Sequence, residues 1–321
     1  MYFNDSAKIY VAGHRGLVGS AICRELKNQG YKNIITRSHS DLDLENQQKT
    51  ENFIMDVKPD AVFLAAAKVG GILANNSYPV DFLMHNLAIQ SNVIRASYLS
   101  NVKRLIFLGS SCIYPKKCPQ PIKEEYLLSS DLEPTNRPYA LAKIAGIEMC
   151  WSYNRQFDTQ YLAAMPTNLY GPNDNYDLTN SHVLPALIKK IHDAKIQNKS
   201  MVEVWGTGEP RREFLHVDDL AKALVSLSNL NKATFQNLVE KKVCPVINIG
   251  SGVDLKIKEL ANLIKKVIGY RGHFVYDNSK PDGTLRKVMN IEKIKSLGWL
   301  PQVSLEDGLN QTYKNYITKL E

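Results

Sequence analysis

Short, almost uninterrupted apolar runs alternate along the first half of the chain with longer stretches in which apolar positions recur every three or four residues. The runs Lys8 to Ala12, Ile34 to Thr36, Ala61 to Ala65, Arg104 to Gly109 and Tyr161 to Pro166 have the length of strands and little polar face, as strands covered on both sides do. Between them Val18 to Gln29, Gln47 to Val57, Asp81 to Leu99 and Pro138 to Gln156 carry helical periodicity. A parallel neighbour can be reached only through a crossover, so strict alternation predicts an α/β fold built on a doubly wound parallel (Rossmann) sheet. After Gly171 the pattern loosens into loops rich in Pro, Asn and Gly, with helices near Val183 to Asp193 and at Ile257 to Ile268.

This division predicts a dinucleotide-binding domain over residues 1–170. Residues 171–321 form mainly a second, smaller α/β lobe for substrate, with some segments returning to the first domain. No repeat, low-complexity segment or Ser/Gly linker separates the halves, so the lobes are expected to pack directly. Functional side chains then belong at the C-terminal ends of the strands, facing the second lobe.

Composition narrows the class. With 44% hydrophobic and 22% charged residues the chain is ordinary for a globular protein, and no 18-residue apolar run offers a membrane span. Met1 to Ala7 lacks the basic and apolar regions of a signal peptide, which predicts a cytoplasmic protein without a membrane partner. The five cysteines are widely spaced and form no CxxC pair, so reduced thiols and no metal site are expected. The net charge of +8 is scattered along the chain instead of gathered in a stripe. It therefore points to a small anionic ligand and away from nucleic acid.

Gly13, His14, Arg15, Gly16, Leu17, Val18 and Gly19 follow the first strand as a GxxGxxG entering a helix. Glycines there permit a tight turn and the close approach of backbone to a pyrophosphate, whose charge meets the helix N-terminus. An NAD site would place an acidic residue after the second strand, and this chain places Arg37, Ser38 and His39 there. With Arg15 as a second cation, the arrangement reads as a receptor for the 2′-phosphate of NADP(H). The alternative keeps Asp41 or Asp43 on the ribose and leaves Arg37 as a solvated charge.

Farther on, the strand ending at Gly109 runs into Ser110, Ser111 and Cys112, and Pro138 opens a helix bearing Tyr139 and Lys143. The spacing of the last two sets them on one helical face, where an ammonium stabilises the phenolate of a tyrosine that is otherwise a poor proton shuttle. The order glycine loop, serine-rich strand end, YxxxK is that of the extended short-chain dehydrogenases/reductases.

Within that class, longer segments resemble the GDP-L-fucose synthase family. They are GHRGLVGS (Gly13 to Ser20), AAAKVGGILANN (Ala65 to Asn76), GSSCIYP (Gly109 to Pro115), YALAKIAG (Tyr139 to Gly146), MPTNLYGP (Met165 to Pro172), REFLHVDD (Arg212 to Asp219) and KPDG (Lys280 to Gly283). The resemblance implies a GDP-4-dehydro-6-deoxy-D-mannose substrate, epimerised at C3 and C5 and reduced at C4 by NADPH. It implies Cys112 as the epimerising base and His182 as its acid partner, with Ser110, Tyr139 and Lys143 completing the catalytic set. It further implies cofactor contacts at Leu108, Ser111, Pro166, Asn168, Leu169 and His182, and substrate contacts at Lys190, Trp205, Arg212 and Asp282. A homodimer through the helices Asp81 to Leu99 and Pro138 to Gln156 also follows from the resemblance. The chain departs from the family at His39, where another basic residue is common. Rival readings are a C4 reductase of a related GDP-4-keto sugar such as a 6-deoxy-heptose, an NAD-retaining epimerase or dehydratase, and a catalytically silent nucleotide-binding protein.

Overall fold

The computed structural model describes residues 2–178, 180–240, 244–280 and 282–320. In chain order its elements are β1 (Lys8–Ala12), α1 (Leu17–Asn28), β2 (Asn33–Ile35), α2 (Gln47–Val57), β3 (Ala61–Leu64), α3 (Ile72–Ser77), α4 (Pro79–Leu99), β4 (Arg104–Leu108), α5 (Arg137–Phe157) and β5 (Tyr161–Pro166). There follow β6 (Asn168–Tyr170), α6 (Val183–Ile196), β7 (Met201–Trp205), β8 (Arg211–His216), α7 (Val217–Ser228), α8 (Lys232–Leu238), β9 (Val246–Ile249), β10 (Asp254–Lys256), α9 (Ile257–Ile268), β11 (His273–Asp277), β12 (Arg286–Lys287), α10 (Glu292–Lys295) and α11 (Leu305–Thr318).

The apolar runs become a six-stranded parallel sheet in the order β2-β1-β3-β4-β5-β9. Strands β3, β4 and β5 are buried at every position, the pattern of central strands covered by helices on both faces. The chain winds one way from β1 to β2 and the other way from β3 onward, so a crevice opens above the ends of β1 and β3. Two strands expected to run to Ala65 and Gly109 stop one residue earlier. The ladder nevertheless continues through one more bond, Ala65 N–H to Ala12 O at 3.1 Å and Gly109 N–H to Ala164 O at 2.9 Å, before the chain peels off into the cleft.

Beyond residue 171 the expected loosening gives way to more regular structure than the pattern announces. Strand β8 runs through the second lobe. Its Arg211–Glu213 half pairs with β10 and β12, and its Phe214–His216 half with β6. Strands β7 and β11 form a separate parallel pair, and Leu184, Leu187, Ile188, Ile191, Leu260 and Ile264 of α6 and α9 fill a second core with Val202 and Val204 of β7. Strand β9 returns to pair with β5, and α7 lends Leu220, Ala221 and Leu224 to the first core. No helix among the described residues is long and apolar enough to cross a membrane.

The lobes meet at Glu213, which is wholly buried. Its carboxylate accepts the amide of Gly252 at 2.6 Å, from the turn after β9, and the amide of Met289 at 2.8 Å, just past β12. Burial pushes this carboxyl above its ordinary value, and the same N–H bonds pull it back. Glu213→Ala strands the buried Met289 amide, at a cost of roughly 1–3 kcal/mol, and frees the exposed Gly252 amide to water. Urea unfolding should show a loss on that scale, with Glu213→Gln falling between the variant and the native protein.

Candidate functional site

At the end of β1 the chain turns at Gly13, whose φ of +84° disfavours any side chain and whose Cβ would stand 2.8 Å from the amide nitrogen of Ala66. A Cβ on Gly19, one turn into α1, would overlap the carbonyl oxygen of Gly13. The turn is therefore pressed between β3's exit and the helix. Gly16 caps α1 without a side-chain acceptor, so the first N–H groups and the positive end of the helix face the crevice. Leu17 and Val18 are half-buried beside it, and the enclosed Nδ1 of His14 has no hydrogen-bond partner in the protein.

Arg15 and Arg37 are exposed on the rim of this crevice, and Arg37 lies over the Phe53 ring at 4.9 Å. Asp41 is tied into its own turn, accepting from the Ser38 hydroxyl at 2.5 Å and the Ser38 amide at 3.2 Å. Those bonds, with help from Arg15 and Arg37, hold its carboxyl below the usual range. Asp43 stands 3.9 Å from His39, whose side chain is open to solvent. A cleft with uncapped helix amides and two exposed guanidinium groups fits a dinucleotide carrying an extra phosphate.

The chemistry-bearing side chains gather where β4 ends. The Cys112 thiol donates to Ser110 Oγ at 3.1 Å, and the Tyr139 hydroxyl is hydrogen-bonded to the same serine. Tyr139 sits at the start of α5 with its ring edge-on to Phe82. One turn later Lys143 is buried, donates to Leu108 O at 2.8 Å, and lies 5.8 Å from the Tyr139 ring. Burial lowers Lys143 to about 8 and raises Tyr139, whose phenolate is further opposed by Cys112 and favoured by the Ser110 bond. Cys112 is likewise raised by burial, against the pull of Lys287, Ser110 and Lys143.

Lys287 was not a candidate from the sequence. Strand β12 sets it in register with Arg212, and its ammonium is the charge that most favours the Cys112 thiolate. The available signal was a lone Lys in the strand-like run Leu285 to Met289. His182 stands at the start of α6. Solvent reaches its ring at the cleft, yet the protein packed around it still lowers its pKa by desolvation.

On the second lobe, Lys190 and Lys280 flank the exposed Trp205 ring at 5.0 and 5.7 Å. Arg212 lies within electrostatic reach of Asp282, while both Asp282 oxygens are engaged by Thr207 at 2.7 Å. Asp282 thus braces the turn after Trp205. Pro281 of the same segment lies outside the described residues. Nearer the sheet, Pro166 ends β5, Asn168 donates to Glu213 O at 2.9 Å, Leu169 is half-buried and Ser111 is buried.

A glycine-lined helix start at the switch point, with Ser, Tyr and Lys at the neighbouring strand end, defines the class as the extended short-chain dehydrogenases/reductases. The chain belongs to the NAD dependent epimerase/dehydratase family, whose sequence profile matches residues 9–250, and within it to the GDP-L-fucose synthases. It is 56% identical over 312 residues to the putative GDP-L-fucose synthase 2 of Arabidopsis thaliana, covering 97% of this chain and 92% of that protein. It is 49% identical over 310 residues to the GDP-L-fucose synthase of Escherichia coli strain K12, covering 97% and 96%. A solved structure of a GDP-mannoheptose C4 reductase from Campylobacter jejuni with NADP bound matches with a TM-score of 0.89 at 40% identity, covering 98% of this chain and 99% of that one.

Because Lys287 opposes the burial of Cys112, Lys287→Met should move the titration of that thiol to higher pH. Thiolate absorbance measured against Cys112→Ser would read the shift, and an unmoved titration would leave Lys287 without influence on the sulfur.

Proposed function

We propose that this protein epimerises GDP-4-dehydro-6-deoxy-D-mannose at C3 and C5 and reduces it at C4 with NADPH, forming GDP-L-fucose. One observation carries the reading: a thiol, a serine hydroxyl and a phenol share one hydrogen-bonded cluster, with the buried Lys143 and the half-buried Lys287 acting on the thiol. Residues 1–170 hold the cofactor and residues 171–321 mainly the substrate, in a cytoplasmic homodimer paired through α4 and α5, whose exposed Val80, Met84, Leu141 and Phe157 give that face its apolar character.

NADP(H) bound in the crevice supplies the hydride. Gly13 to Gly19 receive its pyrophosphate at the start of α1, Arg15 and Arg37 with His39 meet its 2′-phosphate, and Leu108, Ser111, Pro166, Asn168 and Leu169 line the nicotinamide end. Lys190, Trp205 and Arg212 hold the GDP portion of the substrate, and Asp282 fixes the loop beside them. Ser110 and Tyr139 direct hydrogen bonds at the 4-keto oxygen, which makes the protons on C3 and C5 acidic enough for a modest base. Cys112 removes them, its thiolate favoured by Lys287 and Lys143. His182 returns a proton from the other face; desolvation lowers its pKa, which favours that release, and its exposure at the cleft lets solvent resupply the proton. In the reduction Tyr139 gives its proton to O4, and the Lys143 ammonium stabilises the phenolate left behind.

Enolisation needs no hydride, so in heavy water without NADPH the protein should place deuterium at C3 and C5 of the keto sugar. Cys112→Ala should lose that exchange yet still reduce C4, giving the un-epimerised sugar by NMR. Reduction by the native protein with no deuterium at either carbon would replace this reading with that of a simple C4 reductase.

Lys143 must carry its charge to stabilise the phenolate, and burial lowers it to about 8. The reduction rate should therefore be full below that pH and fall as pH rises through it. Tyr139→Phe should lower the rate by about two to four orders of magnitude at every pH.

A further inference from the structure

The segment Ala65 to Asn76 is among the most distinctive in the chain, and the reaction just described gives its middle no task. The structure supplies one. After β3 the chain is clamped at Lys68, whose N–H donates to the buried Asn86 side chain at 3.1 Å and whose carbonyl accepts from it at 3.0 Å. Farther on, the buried Asn75 amide donates to the carbonyls of Gly70 at 2.8 Å and Gly71 at 3.0 Å. With these peptides fixed, the Gly71 N–H points across the cleft and donates to Asn180 O at 3.0 Å, two residues before His182.

Gly71 has φ −67° and ψ −180°, a conformation open to any residue, so its backbone does not call for glycine. Space does. A Cβ there would lie 2.8 Å from the carbonyl oxygen of Ser181, a backbone atom that cannot swing aside. The next side chain, Ile72, reaches toward the other wall, its Cδ1 3.9 Å from where a Gly283 Cβ would stand. The Asn180 and Ser181 amides both donate to Asp177 O, the latter at 2.8 Å, which ties the residues just before His182 to one another.

We propose that Gly71 is a positioning residue for His182: the sheet lobe holds the proton donor in place through a backbone latch from Gly71 to Asn180 that only glycine can approach. This rests on the epimerase reading of the same cleft. The latch touches none of Ser110, Tyr139 or Lys143, so loosening it separates the two half-reactions. The proton returned to C3 and C5 depends on His182, while hydride reduction at C4 does not.

The test uses Gly71→Ala and, as a milder loosening, Asn75→Ala, each checked for native folding by its melting curve and for unchanged NADPH binding. With keto sugar and NADPH in heavy water, both variants should divert product from the epimerised to the un-epimerised sugar. Inversion should fall by roughly ten- to a hundredfold, the scale of an ångström-sized misplacement, while C4 reduction stays within about threefold of native. In the absence of substrate, NMR of the His182 ring should show its titration moving up toward that of a free histidine as the loop swings away from the protein around it. A native ring titration in Gly71→Ala, or loss of inversion and reduction in equal proportion, overturns the latch. Absence of deuterium wash-in by the native protein would instead overturn the epimerase reading, and the ring titration then decides the latch alone.

Discussion

The Glu213 carboxylate is the point on which the rest of the cleft depends. Strands β6, β10 and β12 are three, three and two residues long, too short for their ladders to fix them. Side chains supply the rest: Asp254 of β10 accepts from Arg211 of β8 and Arg286 of β12, and Glu213 of β8 ties in the segments that flank them. The Glu213 carboxylate gathers the turn after β9 and Met289, two residues past β12, while the Glu213 carbonyl receives the Asn168 side chain. Arg212 precedes it on β8 and Lys287 is paired with Arg212, so both cations stand beside the same buried residue. A charge is costly to bury, and this one is tolerated because backbone amides, which cannot be displaced without unravelling both sheets, surround it.

The groups at the end of β4 follow a different logic. Burial dominates each of them: it raises Cys112 and Tyr139, so both keep their protons, and it lowers Lys143 only to about 8, so that group is still an ammonium near neutral pH. Two charges 5.8 Å apart, the Lys143-to-Tyr139 ring separation, interact by roughly 3 kcal/mol at an effective dielectric near 20. That is enough to decide whether a phenolate forms during turnover, and too little to create one at rest. The resting cleft thus keeps its protons, with Lys143 as the ammonium, and negative charge appears only when a substrate oxygen or carbon takes part in moving one.

Much of the sheet lobe was legible because buried parallel strands must be apolar throughout, and the helices between them carry one apolar face. Residues beyond 171 were harder for stated reasons. Strand β7 alternates exposed and buried positions in a two-stranded pair, and β6, β10 and β12 are shorter than any periodicity can register. Helix α7 is plainly amphipathic and was overlooked because its neighbours look like loops. At the site, Tyr139 and Lys143 were legible from their spacing, Ser110 from its place at the end of a strand and Cys112 only from the family resemblance, and the fold brings the four together. Lys287 could not be found so, since it reaches Cys112 only through pairing of β12 with β8. Gly71 shows the same limit from another side. A sequence records that a glycine is present, and only the structure says whether backbone angle or the nearness of Ser181 requires it.

In the proposed reaction the two lobes divide the work unequally. Ser110, Tyr139 and Lys143 stand on β4 and α5 of the sheet lobe, beside the crevice, so reduction draws on one lobe and its cofactor. Inversion draws on both, because Cys112 leaves β4 while Lys287 and His182 come from beyond residue 171. A fold shared at a TM-score of 0.89 with a protein titled a C4 reductase therefore does not decide between the two activities. In the proposed reaction the inversion alone needs both lobes, and these are joined by the bonds of the Glu213 carboxylate to Gly252 and Met289 on one side of the cleft and by the Gly71-to-Asn180 bond on the other.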